Sequence, residues 1–434
     1  MSDATPGYVR RLGVGDATMV VIGGIIGAGI FLNPAIVAQR TGSATEMLLA
    51  WVAGGLLALA GALAYAELGA RRPYAGGGYV YLREVWGPLI AFLFGWIMLL
   101  VNYAGSIAAV ATTFATYACR AAGLGMHWVR PLAVGAILGF AGINYFGIRA
   151  GALVQNVLTT LKVLAVVAIV VVGLALSGAS VPVTAATGAT GHGNFGSALL
   201  PVLFAYSGWF YVNNIAGEIR DPRRNIPRAL AFGMLGCVAC YLLANLAYLA
   251  VLGHAGLAQS TAPAAEIMQR AFGERGATLI ALGIAISTAG YCNIAILGGA
   301  RVFQVMGADR VFFRAAARIH PRFHSPHVAL FGLAAWAAVL AGTGSYGQLL
   351  DYATIGDWIG SAMVVATLFH YRRHDADPGV YRAPGHPWLP LAFIAAVLYV
   401  IAATAIAQPR ETLVGLLIIA TGVPVFFAWR RLGR

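Results

Sequence analysis

The chain has 434 residues, of which 60% are hydrophobic and only 10% are charged. Soluble chains carry about 25% charged residues, so this composition excludes an ordinary soluble enzyme with a polar surface. The net charge is +13, but the basic residues lie in short loops and chain ends. No soluble basic domain is present to bind nucleic acid, so nucleic acid is not an expected partner.

Twelve apolar segments follow one another along the chain. Each is long enough to cross a hydrocarbon core about 30 Å thick, which takes roughly 20 helical residues. Helices are expected because unpaired backbone groups are costly in lipid, and the segments lack the alternation of barrel strands. The sequence thus predicts an all-α membrane protein, one polytopic domain over 1–434. The segments are 17–39, 47–67, 89–118, 131–148, 152–177, 195–217, 229–253, 277–300, 328–349, 352–371, 388–408 and 412–429.

The distribution of basic residues predicts how the chain is oriented. With the N-terminus in the cytoplasm, 21 arginines fall on the inner side and six on the outer side. Cytoplasmic loops of membrane proteins carry the excess of Lys and Arg, so both termini are predicted to be cytoplasmic. The outer arginines are Arg40, Arg120, Arg130, Arg270, Arg275 and Arg410.

Two loops carry patterns of their own. The outer loop 254–275 contains an amphipathic stretch, Ala262 to Phe272, which is expected to lie on the membrane surface. The inner loop 301–327 contains three histidines, but the prolines beside them break any regular ligand spacing. A solvated loop is therefore favoured over a metal site, and no metal is predicted.

Small residues interrupt two of the segments at mid-depth. Residues 23–29 of the first segment include four glycines, and the sixth segment contains Ser207-Gly208. Two interrupted segments in corresponding halves indicate an inverted repeat with a substrate site at mid-membrane. An unwound turn exposes N–H groups that attract a carboxylate and carbonyls that attract an ammonium, so the pair suits a zwitterion. For the first segment alone, close helix packing through Gly23 and Gly27 explains the glycines equally well.

Four stretches carry a family resemblance: Gly24 to Phe31, Ala75 to Glu84, Phe204 to Arg228, and Tyr381 to Gly385. In these the chain resembles the amino acid–polyamine–organocation superfamily, and most of all the L-type amino acid transporters and their bacterial relatives. The resemblance implies a bacterial cytoplasmic-membrane transporter, not an enzyme, that works by alternating access without a cofactor. It also implies discontinuous helices 1 and 6 in a five-plus-five inverted repeat. The repeats would span about 15–178 and 195–372, and helices 11 and 12 would follow at about 388–430.

The same resemblance implies a substrate site at the two breaks. The N–H groups of Gly27, Ala28 and Gly29 would receive the substrate carboxylate, and carbonyls of the sixth segment its amino group. Two aromatic side chains there would act as gate and wall, with ordinary packing as the alternative. Ser207 stands where the large-substrate members have Gly, which favours smaller substrates. The site residues are Ile26, Gly27, Ala28 and Gly29 in the first break, and Phe204, Ala205, Tyr206, Ser207 and Trp209 in the second.

Lys162 is the only lysine of the chain, and it lies inside the fifth segment. It is ~16 Å along the helix from Gly151, which is deep for a side chain that snorkels to the surface. An intramembrane charge indicates function. The resemblance places this ammonium where sodium-coupled relatives hold a sodium ion, bracing the first helix against the eighth, with Ser287 and Thr288 as candidate partners. It implies a sodium-independent transporter.

Asp357, near the outer end of the tenth segment, is a gate candidate, with a hydrated helix-end acid as the alternative. No acid lies near the two breaks in sequence, which favours neutral substrates. The sequence therefore predicts a sodium-independent transporter of neutral L-amino acids, either an exchanger or coupled to protons. A transporter of cationic amino acids or polyamines, a channel and a non-transporting amino-acid sensor stay open as alternatives. The expected partners are the amino acid, the bilayer and, for a coupled mechanism, protons; a partner subunit stays open.

Overall fold

The computed structural model describes residues 7–177, 195–344, 346–375, 377–407 and 409–432. This part of the chain is helical and contains no β-strand beyond one isolated bridge between Leu12 and Ile219. The helices are, in chain order, α1 (Val14–Ile25), α2 (Gly29–Gln39), α3 (Ala44–Arg71), α4 (Gly78–Trp86), α5 (Pro88–Ile97), α6 (Ala104–Ala122), α7 (Val129–Tyr145), α8 (Ile148–Leu176), α9 (Phe195–Ala205), α10 (Tyr211–Asn214), α11 (Pro222–Gln259), α12 (Pro263–Phe272), α13 (Glu274–Ala308), α14 (His327–Thr343), α15 (Tyr346–His374), α16 (Trp388–Ala407) and α17 (Pro409–Leu432).

Among the described helices, eight stretches are long and apolar enough to cross a membrane. One of them is α5 continued by α6 through a π-helical turn, Met98–Tyr103, and α1 with α2 forms a ninth span that is bent by 43°. The shorter α9 with α10, the 17-residue α14 and the 29-residue α15 supply the other three of twelve spans. The eight single stretches are α3, α5–α6, α7, α8, α11, α13, α16 and α17.

Two local expectations differ from the structure. The ninth helix ends at Thr343, not at residue 349, because Gly344 takes the left-handed conformation (φ +77°) that terminates helices. The amphipathic stretch does form a helix, α12, but its apolar face packs on α13, α8 and α11, burying Ile267 and Met268. This short helix therefore covers the ends of other helices instead of lying on lipid.

Helices α1 and α9 are enclosed by longer ones. α11 and α3 pack against each other, α11 also packs on α1 and α2, and α3 on α9. On the other side, α1 packs on α8 and α13, and α13 in turn packs on α6. The two interrupted spans thus lie in the middle of the molecule, between two groups of helices.

Both ends of the described chain lie on one face, which we call the terminal face. The loop between α13 and α14 contacts both: His324 Nδ1 is 3.0 Å from the Gly7 carbonyl oxygen, and the rings of Phe313 and Trp429 are 4.8 Å apart. Because α13 runs from α12 to this loop, α12 lies at the opposite face.

Candidate substrate site

The first break separates α1 from α2. The last backbone bond of α1 runs from the Ile26 N–H to the Ile22 carbonyl at 2.8 Å. The N–H groups of Gly27 and Ala28 make no hydrogen bond with any other described residue, and Gly29 opens the 11-residue α2. The first N–H groups of a helix have no partner within it and carry its partial positive charge. The first break therefore presents unpaired donors at mid-molecule.

The second break separates α9 from α10. Ser207 folds back on the end of α9, because its N–H and its hydroxyl both donate to the Phe204 carbonyl, at 3.1 and 2.8 Å. The next residue, Gly208, has φ +102°, a conformation that side chains disfavour. The Phe204 carbonyl accepts two hydrogen bonds, whereas the Ala205 carbonyl accepts one, from the Tyr241 hydroxyl at 3.1 Å, and keeps a lone pair for a ligand.

The two breaks touch each other through glycine backbone. A Cβ on Gly208 would lie 2.2 Å from the Gly24 oxygen, and one on Gly24 would lie 2.5 Å from the Gly208 oxygen. A Cβ on Gly29 would meet the Ala205 side chain at 3.2 Å. The donors at the start of α2 thus lie beside the acceptors at the end of α9, the arrangement a zwitterion requires.

Lys162 of α8 binds backbone carbonyls of the first break. Its Nζ, fully buried, donates to the carbonyls of Gly23 at 2.9 Å and Ile26 at 2.7 Å. The Ser287 hydroxyl of α13 lies 3.3 Å from the Ile26 carbonyl and 3.1 Å from that of Gly27. Thr288, its neighbour, instead donates within α13 to Ile284 and Ala285. Lys162 and Ser287 therefore hold carbonyls of the first break, whereas the Thr288 hydroxyl bonds within its own helix.

A buried polar chain continues from Lys162 along the same face of α8. The Thr159 hydroxyl donates to the Met19 carbonyl of α1 at 3.2 Å, and Gln155 accepts from Asn293 of α13 at 2.8 Å. Asn293 in turn accepts from Asn144 of α7 at 2.9 Å. Residues 155, 159 and 162 share one helix face because they are spaced by four and three. This polar stripe ties α1 to α8 and α13.

Tyr241 of α11 is the site residue that sequence reasoning missed. Its buried hydroxyl lies 3.0 Å from the Ile25 carbonyl and 3.1 Å from the Ala205 carbonyl. These are the last residues of α1 and α9, so one phenol contacts both half-helix ends. A tyrosine in an apolar segment gives no signal of this position.

The aromatic candidates take different surroundings. The Phe204 side chain is 64% exposed. Trp209 is 5% exposed and packs edge-on against Tyr65 of α3, with ring centroids 4.7 Å apart. Tyr206 is fully buried against Trp51 and Tyr241. Asp357 lies in α15, and its side chain is outside the described part of the structure.

Comparison with known proteins identifies the family. Residues 12–428 match the model of a family described as amino acid permease. The chain belongs to this family. The predicted resemblance is confirmed, as is a twelve-span helical membrane fold that serves transport and not enzymatic catalysis.

Several characterised permeases are similar over nearly the whole chain. The serine/threonine exchanger SteT of Bacillus subtilis (strain 168) is 31% identical over 98% of both chains. The b(0,+)-type amino acid transporter 1 of Mus musculus is 32% identical over 98% of this chain and 88% of its own length. The cystine/glutamate transporter of Homo sapiens is 29% identical over 96% of this chain and 85% of its own length.

In this permease the terminal face is closed below the breaks. Arg301 of α13 and Glu218, which follows α10, form a buried ion pair at 2.8 Å. The Leu12 N–H donates to the Glu218 carbonyl at 3.0 Å, and the Arg220 N–H donates to the Leu12 carbonyl at 2.9 Å. The Gly76 N–H donates to the Asn214 carbonyl at 3.0 Å. The chain before α1, the end of α10 and the loop after α3 are thereby joined.

Proposed function

We propose that this permease carries neutral L-amino acids across the bacterial cytoplasmic membrane, without sodium, by alternating access. The observation that carries the proposal is the Lys162 ammonium bound to the Gly23 and Ile26 carbonyls, directly beside the unpaired N–H groups of Gly27 and Ala28. The break thus has donors for a carboxylate and a fixed cation beneath them.

The geometry of the breaks favours a zwitterion with a neutral side chain. Its carboxylate would accept from the N–H groups at the start of α2, and its ammonium would donate to the Ala205 carbonyl. The described contacts of the two breaks include no acidic side chain that would recognise a second cationic group. The name of SteT, a serine/threonine exchanger, supports small neutral substrates.

The electrostatics of the same carbonyls support sodium independence. A sodium ion would need several oxygen ligands at this break, and the Gly23 and Ile26 oxygens already bind an ammonium. A second cation beside Lys162 would meet like-charge repulsion in a site of low dielectric constant. The lysine amine therefore occupies the place that a coupling sodium ion would need.

The terminal face is the cytoplasmic face in this proposal, because the inner loops carry 21 of the 27 arginines. The molecule described here is then closed to the cytoplasm. The two inverted repeats are placed at about 15–178 and 195–372, so that each contains one interrupted helix. Rocking of the two groups of helices would open the break to each face in turn.

The test is uptake of labelled serine, threonine, alanine or leucine into proteoliposomes that contain the purified permease. Sodium is replaced by N-methyl-D-glucamine, and unlabelled arginine and putrescine are offered as competitors. Uptake should not depend on sodium, and neither competitor should inhibit it. Strict sodium dependence would sink the proposed role of Lys162, and strong inhibition by arginine or putrescine would move the substrate to the cationic class.

The same vesicles separate exchange from proton coupling. They are loaded with unlabelled amino acid or left empty, with and without an inward proton gradient. The printed name of SteT supports exchange, in which loading is required and the pH gradient is irrelevant. Uptake into empty vesicles driven by the gradient would instead assign proton symport.

A further inference from the structure

A cavity of about 250 Å³ opens at the face opposite the terminal face, between α2, α6, α12 and α13. Its inner end is close to the breaks. Ile284, which lines it, precedes Ser287 by three residues, ~4.5 Å along α13, and Phe31 follows Gly29 by two. The cavity is smaller than the roughly 300–1,000 Å³ of sites for drug-sized ligands, so it suits a small molecule.

One cation lines this cavity. Arg120, at the end of α6, holds its guanidinium 5.3 Å from the centroid of the Tyr117 ring, one turn earlier on the same helix. Within the described residues its side chain forms no ion pair and no hydrogen bond. A guanidinium stacked on an aromatic ring keeps its N–H donors in the plane free for a carboxylate.

The other lining residues determine which kind of ligand would fit beside Arg120. They are apolar except for the hydroxyls of Tyr117 and Thr278, and no Asp or Glu is among the described lining residues. The cavity therefore complements a carboxylate on a small aliphatic body, and it offers no anion to an ammonium. The central breaks differ, because they present both donors and acceptors.

We propose that this cavity is a second, outer binding site that receives an amino acid by its carboxylate, at Arg120, before transfer to the breaks. The carboxylate accepts from the Arg120 guanidinium, the aliphatic side chain packs on Phe31 and Ile284, and the ammonium stays in water. That the natural ligand is an amino acid rests on the function proposed above, whereas binding of a carboxylate at Arg120 does not depend on it.

An acid without an amine separates the two sites. 4-Methylpentanoate has the carboxylate and aliphatic body of leucine but cannot donate to the Ala205 carbonyl. Isothermal titration of the purified, full-length permease with 4-methylpentanoate should show one site. Arg120→Ala should weaken its binding at least tenfold and Arg120→Lys should restore part of it, while Gly29→Leu, which blocks the break, should leave it unchanged. Arg275→Ala is the matched control, since Arg275 is an exposed arginine of the same face that does not line the cavity.

Absence of 4-methylpentanoate binding to the wild type, or equal binding by the Arg120→Ala and Arg275→Ala variants, would overturn the outer site. Uptake gives the second readout: Arg120→Ala should raise the KM for labelled leucine several-fold and leave kcat unchanged. An unchanged KM in that variant would show that the cavity does not serve transport. A wild type that binds 4-methylpentanoate through Arg120 but transports no amino acid would refute the proposed function and retain the carboxylate site.

Discussion

Lys162 is the residue whose removal should separate folding from transport. In Lys162→Met the side chain keeps its length and packing, but the Gly23 and Ile26 carbonyls lose their charged donor. Leaving a buried acceptor without a partner costs about 1–3 kcal/mol, which a membrane protein of this size tolerates. We expect a monodisperse protein on gel filtration whose amino-acid uptake falls at least tenfold.

Thr160→Val provides the control for Lys162→Met on the same helix, since Thr160 is exposed and bonds only to Asn156 in its own helix. Its uptake should match the wild type. Retention of transport by Lys162→Met would remove the lysine from the mechanism.

Ser287 and Thr288 are neighbours with different predicted effects. Ser287→Ala removes the hydroxyl that reaches the Gly27 carbonyl, worth about 0.5–1.5 kcal/mol, so the KM for amino acids should rise roughly two- to tenfold. Thr288→Val loses only bonds within α13 and should leave KM unchanged. Uptake kinetics in proteoliposomes measure both, and equal effects of the two changes would contradict the assigned contacts.

At the scale of helices, the two interrupted spans are unequal. α2 has 11 residues beyond its break, whereas α10 has four and continues into a 3₁₀ turn. A helix dipole needs several aligned peptides, so the start of α2 attracts an anion far more strongly than the start of α10. The substrate carboxylate is therefore expected at α2, which orients the ligand across the contact between Gly24 and Gly208.

Tyr241 holds the two half-helices together with one proton and two acceptors. Tyr241→Phe keeps the ring packed on Trp51 but leaves the Ile25 and Ala205 carbonyls without the hydroxyl. We expect a lower melting temperature, by a few degrees, and a higher KM. Tyr248→Phe, on the same helix, removes only a 3.3 Å contact to the Ile30 carbonyl and should change KM much less. Thermal unfolding and uptake kinetics of both variants test this, and identical KM values would show that Tyr241 only fills space.

The positions of the breaks could be predicted from sequence, because Gly and Ser near the middle of a segment lower its helix propensity locally. Lys162 could also be recognised from sequence, because a charged residue inside an apolar segment is a local signal. Tyr241 was not predicted, since its partners are carbonyls of other helices and a backbone carbonyl leaves no trace in residue identity, and Ser287 was named only through the family resemblance. The end of α14 at Thr343 could have been predicted, because Gly342, Gly344 and Gly347 interrupt the apolar run before residue 349.

At the scale of the whole molecule, the terminal face is closed more tightly than the opposite face. The terminal side is sealed by the Glu218–Arg301 pair and the Leu12 backbone, whereas α2 and α9 pack mainly on α11, on α3 and on each other. The cavity at Arg120 opens on that opposite side. The described conformation is therefore sealed at the terminal face and holds a cavity at the opposite face.

Glu218→Gln should loosen this seal, because it leaves the buried Arg301 charge uncompensated, at a cost of about 3–5 kcal/mol. The amides of Leu12 and Arg220 should then exchange with deuterium at least about a hundredfold faster. Mass-spectrometric exchange measures this. Glu46→Gln at the opposite face, where the Glu46 carboxylate accepts from the Gly42 N–H, should leave both amides protected. Unchanged exchange in Glu218→Gln would mean that other contacts close the face.

The scarcity of lysine gives this molecule an intrinsic chemical reporter. Its 28 Lys and Arg side chains are 27 guanidiniums and one amine, and that amine is fully buried between α8 and α1. An amine-selective acylating reagent therefore has one side-chain amine to modify, that of Lys162, and the described conformation shields it. Lys162 would be acylated only when α1 separates from α8. The mass of the single peptide that contains Lys162 would therefore report the opening of the break.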